Sequence, residues 1–213
     1  MTEQHKATPA VSDTDGDQKV YEIDVVNGPI PTPDQFLGPF YPVGVKPFDG
    51  GTNMSQLPGR GKALGEVVCV SGKIVNIYNE PCPDVKLEIW QSNAGGRYTH
   101  KNHVYTEPLD PNFEGYANIV ADSGGRFQFK TIKPGPYPVT PEFWRPPHIH
   151  FDITGRVNRL VTQMYFPDEP LNDKDPILQV AWQNEMLVAR PLPPNPDEPG
   201  VTMLEWDIML VEG

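Results

Sequence analysis

The segment WRPPHIH, Trp144 to His150, sets two histidines two residues apart in a stretch that otherwise has the character of a β-strand. Side chains alternate across a strand, so His148 and His150 project from one face while Ile149 and Phe151 point to the other. Two imidazoles on one face are half of a metal site. Upstream stand two tyrosines in Gly/Pro-rich loops beside strands, Tyr98 in AGGRYTHKN and Tyr137 in KPGPYPV. Together the four could form a Tyr/Tyr/His/His ligand set, which favours a hard, oxidised metal such as ferric iron over zinc, whose structural sites usually take thiolate. Each residue also has a plainer reading. A His-x-His pair can be two hydrogen-bonded or surface imidazoles, and a tyrosine in a Gly-Pro turn often packs with its hydroxyl at the surface. None decides alone. Arg145, three residues before His148, and the prolines and glycines that fix the loops lend the set weight.

The stretch from Gly65 to Phe166 resembles the intradiol aromatic-ring dioxygenases, and within them the iron-binding β-subunit branch of the protocatechuate enzymes. The segments that carry the resemblance are EIWQSNAGGRYTHKN, PLDPNFEGYA, FKTIKPGPYP, WRPPHIHFDITG and LVTQMYF, in that order along about half of the chain. The resemblance implies one Fe(III) per chain held by Tyr98, Tyr137, His148 and His150. Tyr98 matches the tyrosinate that stays on the metal through turnover, and Tyr137 the one that leaves when substrate binds. Arg145 matches the arginine beside the bound diol, where a fixed charge can steady an anionic substrate and developing oxyanions. Gln163 matches a glutamine near that arginine. Tyr137, Arg145 and Gln163 are thus the expected catalytic groups, and Trp90, Val139 and Ile177 the expected substrate-pocket wall. The departure is Val139, where the protocatechuate enzymes generally carry tryptophan, which reshapes one wall. The implied reaction is intradiol cleavage of a catechol-type diol by O2 to a cis,cis-muconate-type diacid.

Composition agrees with such an enzyme and excludes several rivals. At 213 residues and 23.8 kDa the chain can bury a full core as one domain with extended arms. Seventeen basic against 28 acidic residues leave a formal charge of −11 and a pI near 4.8. That balance argues against nucleic acid, because phosphate binding needs lysine and arginine. No apolar run approaches a membrane span, and MTEQHKATPAVSDTDGDQKV lacks the apolar core of a signal peptide, so a cytoplasmic protein is expected. Cys69 and Cys82 are too few for a disulfide scaffold and lie outside any metal spacing; Cys69 reads as a small core residue.

Residues 1–20 are polar, charged and without periodicity, and read as a mobile arm. Residues 21–64, rich in proline and aromatics as in PIPTPDQFLGPFYPVG, read as an extended arm that wraps a neighbouring subunit or closes the mouth of the site. Residues 65–213 read as a catalytic β-sandwich of two mostly antiparallel sheets, an all-β fold with long Pro/Gly-rich loops. Strand candidates are Glu66–Tyr78, Val85–Trp90, Tyr116–Ala121, Arg126–Ile132, Pro147–Ile153, Leu160–Phe166 and Met203–Val211, separated by turn signals such as DSGG and PLPPNPDEPG. One stretch, Pro176 to Val188, has apolar residues at three- and four-residue spacing behind a proline and predicts a helix.

The catechol-cleaving branch of the family adds a helical N-terminal dimer linker, for which this chain shows no helical periodicity. The protocatechuate branch pairs a non-iron subunit with the iron-binding one, so the expected assembly is a homo-oligomer or such a pair. The resemblance favours a protocatechuate-like substrate, with hydroxyquinol, catechol or a substituted catechol as alternatives. Two other classes stand beside this reading. A cupin-like metalloenzyme would use His148 and His150 with a carboxylate and a third histidine, from among His5, His100 and His103. A non-catalytic β-sandwich binding module would keep the framework alone.

Overall fold

The computed structural model describes residues 28–43 and 52–212, so the expected polar arm at 1–20 lies outside the described residues. The described residues form eleven strands: β1 (Val67–Asn76), β2 (Lys86–Trp90), β3 (Tyr116–Val120), β4 (Arg126–Ile132), β5 (Tyr137–Pro138), β6 (Trp144–Arg145), β7 (His148–Thr154), β8 (Arg159–Tyr165), β9 (Arg190–Pro191), β10 (Thr202–Glu205) and β11 (Ile208–Leu210). The two-residue β5, β6 and β9 lie outside the seven runs expected from sequence. The fold is all-β, as expected. One sheet is centred on β1, which pairs antiparallel with β4 on one side and parallel with β10 and then β11 on the other, while β9 extends β10. The second sheet is an antiparallel run in the order β3-β2-β7-β8. A short β5-β6 hairpin stands apart from both.

The core fills the space between the two sheets. Phe129 of β4 meets Phe151 of β7 edge-on with ring centroids 6.0 Å apart, and Phe151 meets Trp206 at 4.8 Å. Burying each such ring contributes about 1.5–3 kcal/mol. β7 is buried from His148 through Ile153, yet its two faces do different work. Ile149, Phe151 and Ile153 belong to the inter-sheet core, so His148, His150 and Asp152 must face outward from the sandwich. That outer face is covered by the proline-rich arm and by loops.

Two elements differ from the sequence reading. The expected strand Met203–Val211 is two short strands broken at Trp206 and Asp207. Here Trp206 buries its ring, its amide donates to the Ser71 carbonyl, and its own carbonyl lies so close to Gly72 that a Cβ there would sit 1.9 Å from it. The expected helix over Pro176–Val188 is a single turn, α1 (Pro176–Gln179), flanked by 3-10 turns at Asn172–Lys174 and Asn184–Leu187. The start signal holds, since Pro176 begins the turn and Asp175 caps it by accepting from the Ile177 amide. The chain then takes a left-handed step at Gln183 (φ 58°), so that Leu178 and Leu187 both pack on Tyr165. Their spacing reflects two contacts with one ring rather than one helical face.

Candidate active site

Strand register builds the floor of the site. Trp90 pairs with His150, His150 with Gln163, and His148 with Tyr165, and directly opposed residues share a face. One outer patch therefore carries Trp90, both histidines, Gln163 and Tyr165. The Trp90 ring lies parallel to the His150 ring, 4.9 Å between centroids and 9° between planes, which fixes the imidazole. Pro146 offers its carbonyl to His148 Nδ1 at 2.6 Å. A carbonyl can only accept, so Nδ1 carries the proton and Nε2 presents its lone pair.

Two loops bring in the tyrosines, and they are locked to each other. Asn93 Oδ1 accepts from the Gly95 and Arg97 amides, and the Asn93 carbonyl accepts from Gly135, which precedes Tyr137. Gly96 sits at φ +83° with its Cα against the Pro136 carbonyl, where a Cβ would stand 2.3 Å from that oxygen. Only glycine combines that backbone with that approach. The result is an edge-on Tyr98–Tyr137 pair with centroids 5.4 Å apart.

The four donors converge. His148 Nε2 is 3.2 Å from His150 Nε2 and 3.4 Å from the Tyr98 hydroxyl, and the Tyr137 ring centroid is 5.7 Å from that of His148. Tyr98, Tyr137, His148 and His150 are all at most 5% exposed. Burial, then the positive charge of Arg145, holds both imidazoles well below the ordinary histidine pKa, so both stay neutral. Burial pushes both phenols up, while Arg145 pulls them back. His148 Nε2 turns its lone pair towards His150 Nε2, while His150 Nδ1 has no partner among the described residues, so the two Nε2 atoms stand where one cation could take both. Nitrogens bound side by side to one metal at ~2.1 Å lie roughly 3 Å apart, close to the separation seen here. The residues fit a metal, and one that accepts phenolate. Among the described residues no group of three or more His, Cys, Asp or Glu side chains could hold a metal ion.

Arg145 is buried on β6 beside this cluster. Its Nε donates to Asp175 at 2.9 Å, and one Nη donates to Gln163 Oε1 at 2.7 Å and to the Tyr165 hydroxyl at 3.0 Å. Gln163 in turn donates to the Phe36 carbonyl, and Tyr165 to Gln35 Oε1, so the arm is stitched into the same network. Asp175 and Tyr165 were not singled out from sequence. Tyr165 shares a strand face with Gln163, a signal that alternation offers, whereas Asp175 is announced only by its position before the helix-starting proline. The pocket-wall residues divide. Trp90 is buried in the centre, Ile177 is half-buried and gives its carbonyl to Gln35, and Val139 is 56% exposed in the β5-β6 hairpin, its amide bonded to the Phe143 carbonyl. Phe40 of the arm packs on the tyrosine pair, 4.8 Å from Tyr98 and 6.0 Å from Tyr137 between ring centroids.

The family model described as "Dioxygenase" matches residues 38–212, which include every residue of this cluster. The chain belongs to the intradiol dioxygenase family. It is 42% identical over 156 residues to the protocatechuate 3,4-dioxygenase beta chain of Burkholderia cepacia, covering 70% of this chain and 66% of that one. It is 27% identical over 167 residues to the hydroxyquinol 1,2-dioxygenase of a Rhizobium species, covering 72% and 52%. Among solved structures, the dioxygenase domain of a dioxygenase and carbohydrate-binding protein fusion from Streptomyces sp. SirexAA-E superposes with a TM-score of 0.66 at 25% identity, covering 86% of this chain and all of that one. The chain spans about half to two thirds of the length of the curated relatives it matches. No helix among the described residues is long and apolar enough to cross a membrane.

Proposed function

We propose that this intradiol dioxygenase cleaves a catechol-type diol between its two hydroxyl-bearing carbons at a ferric centre, taking both atoms of O2 into a cis,cis-muconate-type diacid, and that its substrate is protocatechuate-like. The observation that carries the reading is the convergence of two neutral imidazole nitrogens and two phenols beside a buried arginine. Tyr98, Tyr137, His148 and His150 would hold the iron. When bound, Fe(III) would supply a Lewis acid that acidifies a diol's hydroxyls and polarises its ring.

The chain's own residues supply the rest. A Tyr137 phenolate would take one diol proton as a general base, and burial, which raises this phenol, favours that transfer. Arg145, held from three sides, places a fixed positive charge where the diol and the developing oxyanions lie. Gln163 keeps one Arg145 nitrogen from rotating away. Phe40, against Tyr98, and Trp90, stacked on His150, line the site with apolar rings. Identity to the Burkholderia beta chain exceeds that to the hydroxyquinol enzyme, which supports the protocatechuate-like choice. In the domain division proposed here the arm at 21–64, through its part at 28–43, covers the site of the catalytic domain at 65–213. The assembly is a homo-oligomer or a pair with a non-iron subunit.

Oxygen uptake by the purified, iron-loaded chain across protocatechuate, catechol, hydroxyquinol and substituted catechols tests the proposal. The expected protein is red to brown with about one Fe(III) per chain and prefers protocatechuate. A colourless protein that binds zinc stoichiometrically, or an iron-loaded one that cleaves none of these diols, overturns the reading.

A further inference from the structure

His103 is 5% exposed, lies outside the set of expected ligands, and is packed among four rings of the site. Its ring stands edge-on to Tyr98 and to Tyr137, each with centroids 5.5 Å away, and tilted against Phe40 at 4.4 Å and Tyr105 at 5.8 Å. Its Nδ1 accepts a 2.9 Å hydrogen bond from the Tyr98 backbone amide. That contact spans five residues and closes the THKN turn onto the residue that carries the phenol. An accepting Nδ1 in a neutral ring puts the proton on Nε2, which finds no partner among the described residues. A buried histidine that spends one nitrogen on a ligand's own peptide, and turns its other N–H towards aromatic rings, is poorly explained as filler. Phenylalanine would fill the same space without the orphaned donor.

We infer that His103 is a positioning residue for Tyr98: by accepting from the Tyr98 amide it fixes the direction in which the Tyr98 oxygen points at the imidazoles. The inference rests on the proposed metal-binding role of Tyr98. Tyr98 has no side-chain hydrogen bond to its own loop, and its hydroxyl meets His148 Nε2 at 3.4 Å, so its aim depends on its backbone and on the rings around it. Of these anchors His103 is the one that holds both the backbone and a ring face. Asparagine at this position can still accept from the Tyr98 amide, whereas phenylalanine keeps the ring stack and loses the acceptor.

The test compares wild type, His103→Asn and His103→Phe as full chains. In the iron-free proteins, amide hydrogen exchange at Tyr98 should accelerate at least tenfold in His103→Phe and stay within threefold of wild type in His103→Asn. In the iron-loaded proteins, the visible tyrosinate band of His103→Phe should shift and weaken per bound iron. Its kcat should fall about tenfold with KM moving less than threefold, and His103→Asn should restore both band and kcat. Unchanged exchange at Tyr98 in His103→Phe, or a changed melting temperature with an unchanged band and kcat, overturns the positioning role. A wild-type protein without any tyrosinate band would instead overturn the metal reading, which the exchange experiment on iron-free protein does not depend on.

Discussion

Substituting Asp175 with asparagine should destabilise this protein more than any single surface charge change, and the reason lies in the burial of its partner. Asp175 is fully buried and Arg145 is 4% exposed. One carboxylate oxygen accepts from Arg145 Nε at 2.9 Å and the other accepts from the Ile177 amide at 3.0 Å, capping α1. Asparagine preserves the volume and can preserve the cap with its carbonyl oxygen, but its amino group then faces the guanidinium, donor against donor. The arginine keeps Gln163 and Tyr165, both neutral, and its charge has no counter-ion in the buried network. Breaking a buried pair from one side costs about 3–5 kcal/mol, of which the lost cap would add only about 1 kcal/mol were it lost too. For a chain of this size that corresponds to a fall in melting temperature of roughly 6–20 °C. Arg190 and Glu205 form a useful contrast, because that pair is exposed, at 66% and 38% of its side chains, and Glu205→Gln should cost under about 1 kcal/mol. Denaturant unfolding at fixed iron loading measures all of these. Replacing both partners, as in Arg145→Met with Asp175→Leu, should recover much of the stability while abolishing turnover, since the charge beside the diol is gone. The reasoning is refuted if Asp175→Asn unfolds within about 0.5 kcal/mol of wild type, or if the double substitution costs as much as the single one.

Three further outcomes follow from other parts of the site. His148→Ala or His150→Ala should lose most bound iron, whereas Tyr137→Phe should keep iron and slow diol binding and Tyr98→Phe should alter colour more than occupancy; metal analysis with stopped-flow absorbance separates them, and equal iron loss in all four removes the assigned division of roles. Gly96→Ala places a methyl group against the Pro136 carbonyl at a left-handed backbone position, so it should misplace both tyrosine loops and cut iron occupancy several-fold even where the fold survives, as read by circular dichroism beside metal content. His103 is lowered to about 4 from 6.5, first by burial and then by Arg97 and His100. The native chain therefore binds fewer protons here than the unfolded chain between those values, so this group's stability contribution is complete above about pH 6.5 and falls as pH drops towards 4, by about 3 kcal/mol at most. Unfolding free energies across that window should show a pH slope shallower by about one proton in His103→Phe, and an unchanged slope would refute the shift.

Strand alternation made the histidine pair legible, because period two is a local property and the histidines lie in one strand with no insertion between them. The same periodicity could have nominated Tyr165 from Gln163. It could not nominate Asp175, whose role exists only because β6 and the loop before α1 meet in space, thirty residues apart in sequence. The helical reading of Pro176–Val188 failed for a related reason. Apolar spacing of three and four residues is also what two separate turns produce when both must reach one buried tyrosine, and the sequence carries no mark of that ring. The arm shows the converse case. Its prolines and aromatics announced an extended segment in need of a surface, and its stretch 28–43 finds that surface on its own chain through the Gln35 and Phe36 contacts with Tyr165 and Gln163.

Arg145 acts on all four candidate donors at once, and in the sense that each requires. A histidine must be neutral to donate a lone pair, and a tyrosine must lose its proton to donate a charge. Burial alone serves the first need and opposes the second, since it depresses the imidazoles and raises the phenols. The guanidinium charge depresses all four, reinforcing burial at the histidines and countering it at the tyrosines. A lysine could supply the sign of that charge but not its permanence, because burial would press its own pKa down towards neutrality. Asp175 holds Nε, while one terminal nitrogen is held by Gln163 and Tyr165, so the guanidinium is fixed beside the donors. The charge that readies the donors for a metal is thereby the same charge that would steady the substrate, which is why removing its anchor should be felt in stability, in metal loading and in turnover together.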